Sequence, residues 1–193
     1  MTSWCLYKDW LQKEARMSES SVILTDKSSW FWRAIAAILA FLQIMTRRRF
    51  LEDFATTLGP IQSYPEGWPL EVVQTLIAHE TQHTRQCRYF GLGISPWLGL
   101  PFMAIAYLLL PLPIGLAWVR YRLELNADQY RWRWMFDHGY PEEAVYYRAE
   151  AFAETVSSSA YGWAVPRAWA LWGFRRALKR EWLAYCKRVG KLI

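Results

Sequence analysis

His79-Glu80-Thr81-Gln82-His83 constrains this 193-residue chain more than any other stretch. The pattern is H-E-x-x-H, and it acquires a meaning on a helix, where positions i and i+4 stack on one face. Its flanks suit a helix. Pro69 fits a first turn, Leu70 to Ala78 holds no breaker, and Gly91 and Gly93 can end the element near Arg88 or Phe90. On such a helix His79 and His83 aim two imidazoles at one point, as a tetrahedral Zn²⁺ requires of its first two ligands. Glu80, about 100° further round, can reach a water at the metal without being a ligand itself. The competing reading is a helix surface carrying two solvated histidines.

Two histidines do not close a catalytic zinc site; a third protein ligand is needed. The metzincin pattern would place Gly at 86 and His at 89, where this chain has Gln86 and Tyr89. Downstream, a helix predicted over Trp118–Phe136 carries Glu124-Leu125-Asn126-Ala127-Asp128. Glu124 and Asp128 share a face at i and i+4; the plainer reading is helix pairing, for example Arg120 with Glu124. An E-x-x-A-D run on a helix after H-E-x-x-H resembles the gluzincin metallopeptidases, especially the group containing the CAAX-prenyl proteases. The resemblance covers roughly Phe54 to Arg131. It implies Zn²⁺ as cofactor, Glu124 as third ligand, and Asp128 as the acceptor for the free N–H of a ligand imidazole. It implies Glu80 as the general base of peptide-bond hydrolysis, and an edge strand, Thr57–Tyr64, along which an extended peptide substrate adds. His138 is the remaining histidine. Before Gly139 it suits a helix C-terminus, with a third ligand or a transition-state donor as its alternative role. Tyr89, Tyr140, Tyr146 and Tyr147 are available to stabilise an oxyanion.

Ser95–Val119 runs 25 residues without a charge, long enough to cross a bilayer. Pro96, Pro101, Pro111 and Pro113 argue against one straight helix. If Glu124 shares a zinc with His79 and His83, a single crossing would put the ligands on opposite sides of the membrane. Two crossings need roughly 40 residues. A buried or re-entrant hairpin, or a flap touching a membrane, is therefore expected. The hydrophobic fraction of 53%, with 13 Trp, also points to a membrane, a large interface or an aromatic core.

Earlier in the chain, Trp4–Leu11 suits a short amphipathic helix and Ser18–Ser21 a linker. Trp30–Met45 reads as a helix, closed by the basic stop Arg47-Arg48-Arg49. Phe50–Tyr64 reads as short strands; Pro60 cannot donate to a ladder, so an edge or bulged strand is expected there. Helices are also expected from Pro141 to Val156 and from Pro166 onward. The last has apolar Leu171, Phe174, Leu178, Trp182, Tyr185 and Val189 at three- and four-residue spacing. From Arg167 the chain has eight basic residues against Glu181 alone, a net +7, which leaves −1 for residues 1–166 of the total +6. The bland reading is a helix that packs in the core and solvates its basic side. The sharper one is docking on an anionic or protein surface.

Cys5, Cys87 and Cys186 are odd in number and make no C-x-x-C, so free thiols are expected, with Cys87 a buried one. A secretory signal is not expected in residues 1–28, since Lys8, Asp9, Lys13, Glu14 and Arg16 interrupt any apolar run. Cytoplasmic or membrane- or assembly-associated placement is expected. The fold class expected is α+β: a mostly helical minimal zincin with a short β-sheet ahead of the active-site helix. Three segments are expected: an extension at 1–28, a zincin-like domain at 29–165 and the basic amphipathic helix at 166–193. The functional expectation is a zinc metallopeptidase. The alternative is a structural or assembly component, of a membrane complex or a large particle, that retains the fold around a structural zinc. Expected partners are a peptide or protein substrate, an anionic or protein partner for the last helix, and a peripheral membrane. No nucleic-acid motif is present.

Overall fold

Apolar spacing and Gly or Pro punctuation divide the chain into short strands and long helices, and the computed structural model bears this division out. It describes residues 22–41, 46–108, 117–158 and 165–190. The expected helix at Trp4–Leu11, the linker at Ser18–Ser21 and the thiol of Cys5 lie outside the described residues. The protein is mostly helical with one three-stranded sheet, an α+β fold. In chain order the elements are β1 (Ile23–Asp26), α1 (Trp30–Phe41), α2 (Arg47–Glu52), β2 (Thr56–Leu58), β3 (Ile61–Tyr64), α3 (Leu70–Phe90), α4 (Pro96–Leu108), α5 (Ala117–Asp137), α6 (Glu142–Val156) and α7 (Arg167–Arg188). They fall into two compact units, Met1–Leu100 and Pro101–Ile193.

In the first unit the strand order is β1-β3-β2. β2 and β3 form an antiparallel hairpin whose turn is Gly59-Pro60. Gly59 takes φ 59° and Pro60 is locked near −65°, the sign pattern of a type II′ turn. Pro60 therefore sits in the turn, not in the ladder. β3 is the central strand, paired in parallel with β1 on its other side, so the edge expected along Thr57–Tyr64 is confined to β2. The reason lies in β1: Ile23–Asp26, inside the segment 1–28, covers β3. Ile23 aligns with Ile61 and Asp26 with Tyr64. The basic stop is also a helix rather than a break. Thr46 accepts a hydrogen bond from the Arg49 backbone N–H, and this cap starts α2.

α3 packs on β2 and β3. Gln62, fully buried on β3, donates from Nε2 to Thr81 Oγ1 at 3.3 Å and Thr84 Oγ1 at 3.4 Å, and Tyr64 donates to its Oε1 at 3.0 Å. Behind the sheet, Trp32, Ala36 and Phe50 make a small core with Leu58 and Ile61 against it. The first turns of α4 pass close to the end of α3. A Cβ on Gly99 would lie 1.7 Å from the Cys87 carbonyl oxygen, so only glycine fits there.

The second unit is a three-helix bundle of α5, α6 and α7. Its core holds Tyr121, Leu125, Trp132, Met135, Phe136, Val145, Ala149, Phe174 and Leu178 among others. α7, the basic helix of 166–193, buries Ala170, Phe174, Ala177 and Leu178 in this core. Its basic side is partly neutralised within the bundle: Arg167 pairs with Glu154, Arg175 with Glu150, and Arg188 with Asp137. Glu181 is buried and holds Arg133 through two contacts, at 2.5 and 2.8 Å, with Gln129 at 3.1 Å. The uncharged Ser95–Val119 stretch contains α4, with Pro101 inside the helix. Among the described residues, no helix is long and apolar enough to cross a membrane.

Candidate metal centre

α3 carries the H-E-x-x-H residues on buried faces. His79 is 4% and His83 7% exposed. Their rings meet edge to face, 4.8 Å between centroids, and their Nε2 atoms lie 3.0 Å apart. His83 Nδ1 is 2.8 Å from Gln86 Oε1. An amide oxygen only accepts, so Nδ1 carries the proton of the neutral ring and Nε2 keeps its lone pair. This is the tautomer in which an imidazole offers Nε2 to a metal, and the Gln86 contact holds the ring's orientation. At 100° per residue, His79, His83 and Gln86 fall within about 60° of one another around the helix.

Glu80 faces the sheet side of this group and is 6% exposed. Its Oε2 accepts from Thr57 Oγ1 at 2.5 Å. Thr57 belongs to the edge strand β2, so one hydroxyl ties the strand's rim to the carboxylate expected to act as base. Cys87, the thiol expected to be buried, is 1% exposed. Burial pushes its pKa up to about 11, against the lowering effect of a hydrogen bond with the Gly59 backbone. It is therefore a packing residue at neutral pH.

Lys27, in the segment expected to be an extension, is buried at 3% exposure. Its Nζ donates to Phe50 O at 2.6 Å, Phe54 O at 2.7 Å and Thr56 Oγ1 at 2.7 Å, and lies 3.9 Å over the Phe50 ring. Burial lowers its pKa to about 7, and the negative charge of Glu80 opposes that shift. Lys27 thus fastens the chain on either side of β2 while adding positive potential toward Glu80.

In the second unit, α5 carries Glu124 at 1% and Asp128 at 0% exposure, one turn apart on one face. Arg131, itself 8% exposed, approaches Asp128 Oδ1 with its NH1 at 3.5 Å. His138 follows the last residue of α5, about 20 Å along the helix axis from Glu124. There it is exposed, stacked on Trp134 at 3.9 Å, with Nδ1 2.8 Å from the Trp134 carbonyl. That is the arrangement of a helix C-terminal residue, and it keeps His138 apart from Glu124. Tyr89 and Tyr147 are strongly exposed side chains.

Sequence reasoning reached the histidines and carboxylates but passed over Thr57, Gln86 and Lys27. Gln86 had a readable signal, since it lies at i+3 from His83. Thr57 and Lys27 had none, because their partners lie 23 to 29 residues away and meet them only through the sheet. No family model matches the chain, and no curated protein or solved structure gives a significant match.

Proposed function

We propose that this protein is a zinc-dependent hydrolase of peptide bonds, a minimal relative of the gluzincins, with His79, His83 and Glu124 as metal ligands and Glu80 as general base. The observation that carries the reading is the pair of buried imidazoles whose Nε2 atoms converge at 3.0 Å on the H-E-x-x-H helix. Each of the three ligand residues is buried and offers one ligand atom, and an N,N,O donor set suits zinc. Zinc held there would supply Lewis acidity and bring the pKa of water toward neutrality.

The chain's own groups supply the rest. Gln86 fixes the His83 tautomer. Thr57 orients Glu80 so that its other oxygen can take a proton from the attacking water and return it to the leaving amine. Lys27 fastens the chain on either side of β2, the strand that carries Thr57. Asp128 serves as acceptor for a ligand imidazole's N–H. The substrate adds as a strand along β2, the sheet edge that carries Thr57.

A second reading is supported by the burial of Glu80: a centre so shielded suits a zinc that holds a structural or assembly protein together. Metal analysis of the purified chain and of Glu80→Gln, with peptide cleavage by both, separates the two readings. The hydrolase reading expects one zinc per chain in each and cleavage lost in the variant. Zinc in both with no cleavage by either protein supports the structural reading. Absence of metal overturns both.

A further inference from the structure

The turn between α3 and α4 exposes apolar side chains that the fold does not need there. Tyr89 is 81% exposed, Leu92 84%, Ile94 72%, Trp97 50% and Leu98 48%. The turn is nonetheless tightly built. Gly91 N–H donates to Cys87 O at 3.0 Å, Gly93 N–H to Arg88 O at 2.9 Å, and Ile94 N–H to Gly91 O at 3.0 Å. Arg88 Nε donates back to Gly93 O at 2.9 Å. One face of the Trp97 ring rests where a Cβ on Gly59 would meet it at 3.2 Å, which fixes the turn on the β2–β3 hairpin. Leu92 takes φ 55°, a left-handed conformation that costs a leucine roughly 1–2 kcal/mol. Glycine or asparagine would sit there without that cost. The chain instead places an aliphatic side chain in solvent, in a strained conformation, on a rigid support.

We infer that this turn is a membrane-docking tip that inserts into the interfacial layer of an anionic lipid bilayer. Its composition is the mixture that partitions there: Tyr and Trp at headgroup level with Leu and Ile at the apex. The charge is complementary as well. Residues 81–123 contain no Asp or Glu, while Arg85 and Arg88 lie on the last turns of α3 leading into the tip. The exposed Arg88 draws the tip toward anionic headgroups. A turn of about ten residues with exposed apolar side chains can sink into lipid without a complementary partner surface, whereas a stable protein interface needs roughly 800 Å² on each side. Insertion is interfacial, since no described helix can span the bilayer. The inference does not depend on the zinc reading.

The test is flotation of the full chain with phosphatidylcholine vesicles, with and without roughly one-third phosphatidylglycerol, at low salt and at about 0.5 M NaCl. The wild type is expected to float with the anionic vesicles and to lose most of its binding in high salt. The double variant Leu92→Asn, Ile94→Asn is expected to bind at least tenfold more weakly. Asn accepts the left-handed backbone at position 92, so the variant should keep the wild-type circular dichroism, melting temperature and metal content. Binding by the variant equal to wild type, or no binding of the wild type to anionic vesicles, overturns the inference. A wild-type dimer in sedimentation that the double variant abolishes, without vesicle binding, would reassign the tip to self-association.

Discussion

Lys27→Met tests whether burial or hydrogen bonding governs a lysine that sits under the sheet. The side chains are similar in length and volume, so packing should be largely kept. What is lost is the Nζ donor to Phe50 O, Phe54 O and Thr56 Oγ1. Leaving buried carbonyl oxygens short of a donor costs about 1–3 kcal/mol each, so a loss of roughly 2–5 kcal/mol is expected at about pH 9. The pH dependence carries the sharper information. Burial lowers the folded-state pKa from 10.5 to about 7, with Glu80 opposing. Between those values the unfolded chain holds one more proton at this residue than the folded chain does. The wild type therefore gains stability relative to the variant as pH rises through this window, by up to about 1.4 kcal/mol per pH unit. The gain is lost as pH falls through about 7. Urea unfolding of both proteins at about pH 6.5 and about pH 9 should show a penalty about 2–3 kcal/mol larger at the higher pH. A penalty that is constant or shrinks as pH rises would refute the reasoning. It would mean that the three oxygen acceptors hold the ammonium charged across the whole range.

Gln86→Leu removes the acceptor from His83 Nδ1; under the proposed zinc reading, zinc affinity measured by competition with a chromogenic chelator should fall about 10–100-fold. An unchanged affinity would mean that Gln86 does not orient the ligand ring. Gly99→Ala places a Cβ against the Cys87 carbonyl oxygen, and the repacking should cost at least about 1–3 kcal/mol in urea unfolding; a neutral result would show that α4 can retreat from α3. Glu181→Gln weakens the hold on Arg133, whose pKa is raised first by its hydrogen bond to Glu181. Because Arg133 is half exposed, the expected destabilisation is only about 0.5–1.5 kcal/mol, and it should diminish in high salt. A loss several times larger would mean that Glu181 is holding more than this pair.

Much of the fold was legible in the chain because helices announce themselves locally. The apolar spacing and the prolines at 69, 141 and 166 placed α3, α6 and α7 within a residue or two, since caps and periodicity act over three or four neighbours. The i, i+4 spacing of His79 with His83, and of Glu124 with Asp128, likewise put each pair on one helical face before any contact was known. The sheet was not legible in the same way. Whether Ile61–Tyr64 is an edge or a centre depends on β1, which arrives from 38 residues earlier and pairs in parallel. Nothing in either segment alone encodes that meeting. The same holds for Arg47–Glu52, where a threonine cap turned an apparent basic stop into a helix. Lys27 shows the difference most plainly. In the sequence it is one more charge in a polar segment. In the fold it is a buried cation gripping two carbonyls and a hydroxyl, because desolvation and hydrogen bonding are set by what packs around a group, and that is known only once distant strands have come together.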